Sequence, residues 1–177
     1  RKSISSEVTL STDTADPEAI SRLILARSQT VGHQLRKKGF TSGLIFIKLK
    51  FTDFTQITRQ KKLAMPVCSS NDIFDKALAL FKGVRLKKKV RLVGVGAGAL
   101  RDETAPVQLS LLPEVNRHRR EWESVDRALD CISEKFGSHA VCKAALSPAG
   151  DRPAVQAEKQ RVINRRNKEI PCQKLYR

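Results

Sequence analysis

The chain has 177 residues, 34 Lys and Arg against 18 Asp and Glu, a formal net charge of +16 and a pI near 10.2. This length suits one ordinary domain with an appendage, and such a charge points to a polyanionic partner, nucleic acid before membrane. No apolar run approaches the roughly 18 residues that a membrane span needs, and no signal-peptide pattern is present. Because Arg1 comes first and Met65 is the only methionine, we expect a piece of a longer protein.

The cysteines and histidines show no metal-binding pattern. No two cysteines form a C-x-x-C pair, and no histidine lies beside a cysteine at zinc-ligand spacing. We therefore expect no metal or other cofactor in this chain, and thiols suited to a reducing cytoplasm.

The residue pattern from Ile4 to Gly39 predicts a strand and then a helix. Ile4, Val8 and Leu10 alternate as in a short strand. Asp16 suits a helix N-cap, and the apolar spacing that follows is helical for roughly 20 residues until Gly39.

A hairpin, a second helix and a last strand follow. Residues 44–51 alternate as a strand with Lys48 and Lys50 on its non-core face, and residues 54–63 form the return strand. Residues 69–83 have helical spacing and residues 90–95 are strand-like. The resulting β-α-β-β-α-β order predicts an α+β fold, a four-stranded sheet with two helices on one face and the other face open, followed by a C-terminal helical extension.

Three basic stretches distinguish the predicted sheet domain. They are residues 1–3, residues 58–62, which are polar on both strand faces, and residues 85–91, with five cations in seven positions. Any one run is most often a solvated face, but three on one sheet favour phosphate contacts that are sequence-independent and salt-sensitive. The candidate DNA-binding residues are Lys2, Ser3, Lys48, Lys50, Thr58, Arg59, Lys61, Lys62, Lys88 and Arg91. The phenylalanines are expected in the core, so no exposed ring is predicted to stack on bases.

No catalytic residues are predicted. The chain has no phosphate-binding G-x-x-x-x-G-K-[ST] loop, and the glycine-rich residues 94–98 are interpreted as a flexible end to the last strand. Asp102 and Glu103 are expected in a loop, and Asp126 and Asp130 on the outside of a helix, so no carboxylates gather around metal ions.

The segment after the sheet domain predicts interactions with other proteins. A short apolar motif lies between Pro106 and Pro113, and it either docks on the body or inserts its leucines into a partner's groove. The motif consists of Gln108, Leu109, Ser110, Leu111 and Leu112.

An amphipathic helix is predicted next, from apolar residues that step by three and four from Trp122 to Phe136, with a short strand at residues 140–146. Its apolar stripe could face the body, a second copy or a partner. Residues 148–177, with three prolines and little apolar periodicity, are interpreted as a basic, mostly disordered tail.

These segments define four predicted regions: residues 1–103, a DNA-binding domain; 104–113, a linker with the apolar motif; 114–147, the extension; and 148–177, the tail. Residues 1–107 carry a net charge of +11, residues 108–147 none, and residues 148–177 +5.

The sequence resembles the little-finger domain of a bacterial Y-family translesion DNA polymerase of the DNA polymerase IV type. The resemblance rests on Arg1–Ser5, on residues 47–63 (IKLKFTDFTQITRQKKL) and on residues 90–95 (VRLVGV), and it covers about residues 1–100. It implies a sheet lying in the major groove beside the primer–template duplex. Phosphate contacts would come from Thr58, Arg59, Lys61 and Arg91, and Lys2 and Ser3 would contribute through a linker. Gly96 stands where the family often has a further basic residue.

The resemblance also extends to partners. Gln108 to Leu112 is similar to the motif by which bacterial polymerases bind the β sliding clamp, although Leu112 replaces a preferred phenylalanine. It implies that the parent protein is a magnesium-dependent polymerase involved in DNA repair and the SOS response, with the magnesium held by palm carboxylates that this chain lacks. The alternatives are a protein-interaction module acting through residues 108–112 and the helix behind them, the same domain of a polymerase V-like subunit, or a truncated gene product.

Overall fold

A computed structural model describes residues 2–105, 113–137 and 140–146, all within one compact unit, Arg1–Leu146. The predicted tail falls in a second unit, Ser147–Arg177, which lies outside the described residues. The elements are β1 (Ser3–Thr14), α1 (Pro17–Lys37), β2 (Phe40–Phe51), β3 (Gln56–Val67), α2 (Ser70–Lys82), β4 (Val90–Asp102), α3 (Pro113–Phe136) and a short 3-10 helix (Ala144–Leu146).

The predicted α+β fold with the order β-α-β-β-α-β is confirmed. The four strands form one antiparallel sheet in the order β1-β4-β2-β3. Helix α1 joins β1 to β2 across β4, and α2 joins β3 to β4 across β2, so each helix links two parallel strands that a third strand separates. The two helices pack against each other and against the sheet, and apolar residues from β2 and β4 form the core beneath them. Strand β3 is left as an edge.

The helix ends follow the capping residues in the sequence. The Asp16 side chain accepts hydrogen bonds from the backbone amides of Glu18 and Ala19 at the start of α1. The Ser69 hydroxyl accepts one from the amide of Asn71 at the start of α2. These bonds satisfy amides that the helices leave without internal partners.

The glycine-rich residues 94–98 are the middle of β4, and their prediction as a flexible strand end is wrong. A Cβ atom at Gly96 would lie 2.1 Å from Cζ of Phe46, and one at Gly94 would lie 2.8 Å from Cγ of Glu7. Side chains of the neighbouring strands therefore lie over the glycines and fill the space above them. A larger side chain at position 96 would displace the Phe46 ring.

Helix α3 docks on the helical layer through a buried ion cluster. The Arg36 guanidinium donates hydrogen bonds to Asp126 at 3.1 Å and to Asp130 at 2.6 and 3.0 Å, and the Arg36 side chain is only 7% exposed. Asp126 also accepts a 2.7 Å bond from the amide of Ser70, the first residue of α2. The prediction that Asp126 and Asp130 lie on the outside of the helix is wrong, because their carboxylates are the attachment point of α3.

The same cluster shifts the ionisation of its members. Burial alone would raise the pKa of Asp130, but hydrogen bonds from Arg36 and then His33, whose Nδ1 lies 2.9 Å from the carboxylate, outweigh burial and leave the pKa of Asp130 below its usual value. Burial alone would lower the pKa of Arg36, and the two aspartates raise it instead. Both groups are therefore held in their charged forms at neutral pH.

The apolar stripe of α3 is only partly covered. Trp122, Leu129 and Ile132 are half-buried, whereas Val125 is 45% exposed and Phe136 62% exposed. Arg127 pairs with Glu103 after β4, which adds a second tie between the extension and the body. The short strand predicted for residues 140–146 does not form, since the described residues there are irregular apart from Ala144–Leu146.

Candidate nucleic-acid interface

Cross-strand register separates the candidate DNA-binding residues into two groups, because directly opposed residues share a face of the sheet. On the open face, Lys48 opposes Thr58 on one side and Gly94 on the other, while Lys50 opposes Gln56 and Leu92. Lys62 opposes Leu44 and lies farther along the same face. Lys48, Lys50, Thr58 and Lys62 are thus brought together on β2 and β3.

Arg59 and Lys61 lie on the opposite face of β3, toward the helices. Arg59 opposes Ile47 and Lys61 opposes Ile45, and both isoleucines are buried in the core. Arg59 and Lys61 are nonetheless exposed, because β3 is one of the two edge strands of the sheet. Strand β3 therefore presents cations on both of its faces, as the polar pattern of residues 58–62 predicts.

Ion pairs occupy two of the candidate cations. The Lys48 ammonium lies 3.0 Å from a carboxylate oxygen of Glu7, which faces it from β1 across Gly94. The Lys88 ammonium pairs with Asp53 in the turn between β2 and β3. Among the ion pairs formed within the described residues, none involves Arg59, Lys61 or Lys62. These three are the cations of β3 that remain available for a phosphate.

The Asp53 carboxylate fixes the turn between β2 and β3. It accepts hydrogen bonds from the amide and hydroxyl of Thr55, at 3.2 and 2.6 Å. The hydrogen bond from Lys88, reinforced by those from Thr55, lowers the pKa of Asp53 to about 2. Asp53 therefore stays ionised, and the turn keeps its bracing, over the whole physiological pH range.

An exposed aromatic residue stands in this turn, and the prediction that every phenylalanine lies in the core is wrong. Phe54 is 62% exposed and has a backbone φ of 64°. The Lys50 ammonium lies 4.8 Å from the centroid of its ring and the Arg91 guanidinium 5.1 Å, both within the range of cation–π attraction. Sequence reasoning missed Phe54 although it follows Phe51 by three residues, which breaks the strand alternation and marks a turn.

A basic groove lies on the helix side of the same hairpin, between β3 and the segment that joins α2 to β4. Its volume is about 450 Å³ and none of its nine lining residues is acidic. Three apolar residues (Phe51, Ile57, Val84) and four cations (Arg59, Arg85, Lys87, Lys88) account for most of the lining. Two of these cations, Arg85 and Lys87, belong to the basic stretch 85–91 but were not among the specific candidates.

Lys2 and Ser3 lie far from β3. Ser3 is on the open face, opposite Gly98, and Lys2 is exposed just before β1. Strands β1 and β3 are three strand spacings apart, roughly 14 Å, so these residues would reach a different part of an extended ligand.

The apolar motif, possible metal ligands and the carboxylates at the end of β4 are the remaining predicted features. Gln108, Leu109, Ser110, Leu111 and Leu112 lie outside the described residues. Within the described part of the chain, no three His, Cys, Asp or Glu side chains are grouped so that they could hold a metal ion. Asp102 ends β4 and accepts hydrogen bonds from Thr104, while Glu103 pairs with Arg127.

None of the helices that the structure describes combines the length and apolar character required to cross a membrane.

Comparison with known proteins places the sheet domain in a family. Residues 1–111 match the model of the impB/mucB/samB family C-terminal domain. The DNA polymerase IV of Dehalococcoides mccartyi (strain CBDB1) is 34% identical over 142 residues, 79% of this chain and 35% of the relative. That of Clostridium acetobutylicum is 31% identical over 145 residues, 82% of this chain and 36% of the relative. The chain thus spans about a third of the length of the curated relatives that it matches.

Solved structures give a weaker likeness. A complex of the β-clamp processivity factor and the little finger domain of PolIV is 24% identical, with a TM-score of 0.48, covering 62% of this chain and 97% of the other. A post-insertion binary complex of Dbh DNA polymerase is 17% identical, with a TM-score of 0.49, covering 55% of this chain and 28% of the other.

Proposed function

We propose, from the premise that this chain belongs to the impB/mucB/samB family and carries its C-terminal domain, that it grips primer–template DNA for a lesion-bypass polymerase. The little-finger resemblance drawn from the sequence is confirmed by the family match and by relatives of the DNA polymerase IV type. The proposal goes further: it assigns duplex binding to the exposed cations of β3 and to their neighbours on β2 and β4.

The observation that carries the proposal is the charge on both faces of the edge strand β3. Lys62 extends from the open face and Arg59 and Lys61 from the other, and all three side chains are exposed. An edge strand of this kind can enter the major groove of B-DNA, about 12 Å wide, and reach phosphates on both of its walls. Contacts to phosphates alone give sequence-independent binding, which is what a polymerase needs from an accessory domain.

A salt titration tests the duplex proposal. Fluorescence anisotropy of the chain with a primer–template duplex is expected to give a log–log salt slope of about −4.5 for five phosphate contacts. The triple variant Arg59→Gln, Lys61→Gln, Arg91→Gln should flatten the slope by about 2.7, since each neutralised phosphate accounts for about 0.9 of the slope.

A matched control removes the same charge from the helical layer. Lys37→Gln, Lys76→Gln, Lys82→Gln takes three exposed cations from α1 and α2 and should leave the slope nearly unchanged. Equal flattening by both triple variants would mean that only net charge matters, and the proposed surface would be wrong.

Clamp tethering is the second part of the proposal. It is supported by the similarity of Gln108–Leu112 to the clamp-binding motif of bacterial polymerases. Replacing Leu111 and Leu112 by alanine is expected to abolish binding to a β sliding clamp without changing duplex affinity, because the apolar anchors are removed and no charge changes. Clamp binding that survives both substitutions would exclude this motif as the tether.

Polymerase activity is proposed for the parent protein only. Its magnesium-dependent nucleotidyl transfer requires clustered carboxylates, and no described part of this chain provides them. The role in translesion synthesis, DNA repair and the SOS response, and the cytoplasmic location, belong to the same proposal.

A further inference from the structure

The turn between β2 and β3 holds an aromatic ring in the solvent. Phe54 is 62% exposed at the tip of a hairpin whose other large apolar residues are buried or half-buried. Its φ of 64° places a bulky residue in the left-handed region, where asparagine or glycine is usual. A ring in such a position is neither buried nor favoured by its own backbone, so packing within the described unit does not explain it.

The turn is braced so that this geometry is retained. The amide of Phe54 donates to the carbonyl of Phe51 at 3.0 Å, and the amide of Phe51 donates to the carbonyl of Thr55 at 2.9 Å. Asp53 accepts two hydrogen bonds from Thr55 and pairs with Lys88 from the segment before β4. The turn that bears the ring is thus fixed by its own hydrogen bonds and by the ion pair to the segment before β4.

The surroundings of the ring match the chemistry of a nucleotide. The Lys50 ammonium and the Arg91 guanidinium lie 4.8 and 5.1 Å from the ring centroid, and most of the residue remains exposed with both in place. Other proteins bind single-stranded nucleic acid with the same combination, in which a base stacks on an aromatic face and cations contact the adjoining phosphates. The basic groove on the other side of the hairpin gives a path on which the strand's phosphates could continue.

We propose that Phe54, with Lys50 and Arg91, forms a binding site for an unpaired nucleobase of single-stranded DNA. The base stacks on the Phe54 ring while its flanking phosphates contact the two cations. A base inside a duplex cannot present its face in this way, because both of its faces are stacked on neighbouring base pairs. This inference rests on the proposed DNA-binding function but concerns a different ligand and a different residue.

Neutral substitutions of Phe54 test the site without altering the charge. Phe54→Asn suits the left-handed backbone and removes the ring, whereas Phe54→Trp keeps a stacking surface. The full chain is titrated into an oligothymidylate with one fluorescent aminopurine and, separately, into a blunt duplex. Phe54→Asn should weaken single-strand affinity by about tenfold and abolish the aminopurine quenching, which Phe54→Trp should retain. Duplex affinity should stay unchanged in both variants.

Three outcomes would overturn the proposal. Single-strand affinity unchanged in Phe54→Asn would show that the ring does not bind a base. An equal loss on blunt duplex and single strand would show a general effect on DNA binding. Loss of quenching in Phe54→Trp as well would show that a stacking surface is not what the site recognises. A different result would separate the two proposals. If the chain binds the single strand through the Phe54 ring but does not bind duplex, the proposed duplex function is refuted and the proposed single-strand site is supported.

Discussion

Arginine and lysine occur in two regions of this molecule with opposite surroundings. At the junction of α1 and α3, Arg36 is buried and hydrogen-bonded to Asp126 and Asp130. On β3, Arg59 and Lys61 are exposed and take no part in the ion pairs of the described residues. The first region uses its charge to attach a helix, and the second leaves its charge available. A net charge of +16 therefore overstates the capacity for DNA, because burial and local carboxylates determine which cations a phosphate can reach.

The largest expected effect comes from breaking the buried region. Arg36→Met leaves two aspartates at the junction without their cation, which should lower the free energy of unfolding by about 3 to 5 kcal/mol in a urea titration. Adding Asp126→Asn and Asp130→Asn to Arg36→Met should recover part of this stability, since the uncompensated charges are then gone. Affinity of the folded protein for duplex DNA should be unchanged. A decrease below about 1 kcal/mol, as for a surface ion pair, would mean that the cluster does not hold α3.

A second expected effect concerns the middle of the open face, where the family often has a cation and this chain has Gly96. Gly96→Ala should destabilise the fold by about 1 to 3 kcal/mol, because the new Cβ would overlap the Phe46 ring. Combining it with Phe46→Leu should reduce the cost, which a thermal melt of the single and double variants would measure. Additive destabilisation in the double variant would contradict the proposed clash.

Lowering the pH should destabilise the junction of α1 and α3 before it affects the exposed cations of β3. The folded pKa of Asp130 lies below the ordinary value of 3.8, so its contribution to stability is complete above about pH 4 and is lost as the pH falls through the folded pKa. The fluorescence of Trp122, the single tryptophan, should therefore report a change in α3 below pH 4. Asp130→Asn should remove that transition. A transition near neutral pH in the native chain would contradict the assignment to Asp130.

The smallest expected effect concerns two lysines of the open face, one paired with a carboxylate and one not. Lys48 is neutralised by Glu7, whereas Lys50 takes part in none of the ion pairs of the described residues and lies over the Phe54 ring. Lys50→Met should therefore reduce the duplex salt slope more than Lys48→Met. Glu7→Gln releases Lys48 and should strengthen duplex binding slightly, by less than one phosphate contact. Identical salt slopes for Lys48→Met and Lys50→Met would show that the ion pair between Lys48 and Glu7 does not reduce the contribution of Lys48 to duplex binding.

Sequence patterns were sufficient for the helices and strands of the sheet domain and for the exposed charge of β3. Boundaries of α1 followed from Asp16 and Gly39, whose capping and turn chemistry is local. The availability of charge on β3 followed from the loss of alternation in residues 58–62, and the family resemblance from residues 47–63. These inferences depend only on neighbours in the chain, which is why a single sequence could support them.

Only the tertiary structure decided the features that depend on residues distant in sequence. Gly96 lies within a strand because Phe46 of β2 fills the space over it, and Asp126 is buried because Arg36, 90 positions earlier, reaches it. Lys50 and Arg91, 41 positions apart, meet at the exposed ring of Phe54 in a turn that an ion pair between Lys88 and Asp53 braces. Periodicity states which face of an element is apolar, but not what lies across from it, and burial and ion pairing are properties of that opposing surface.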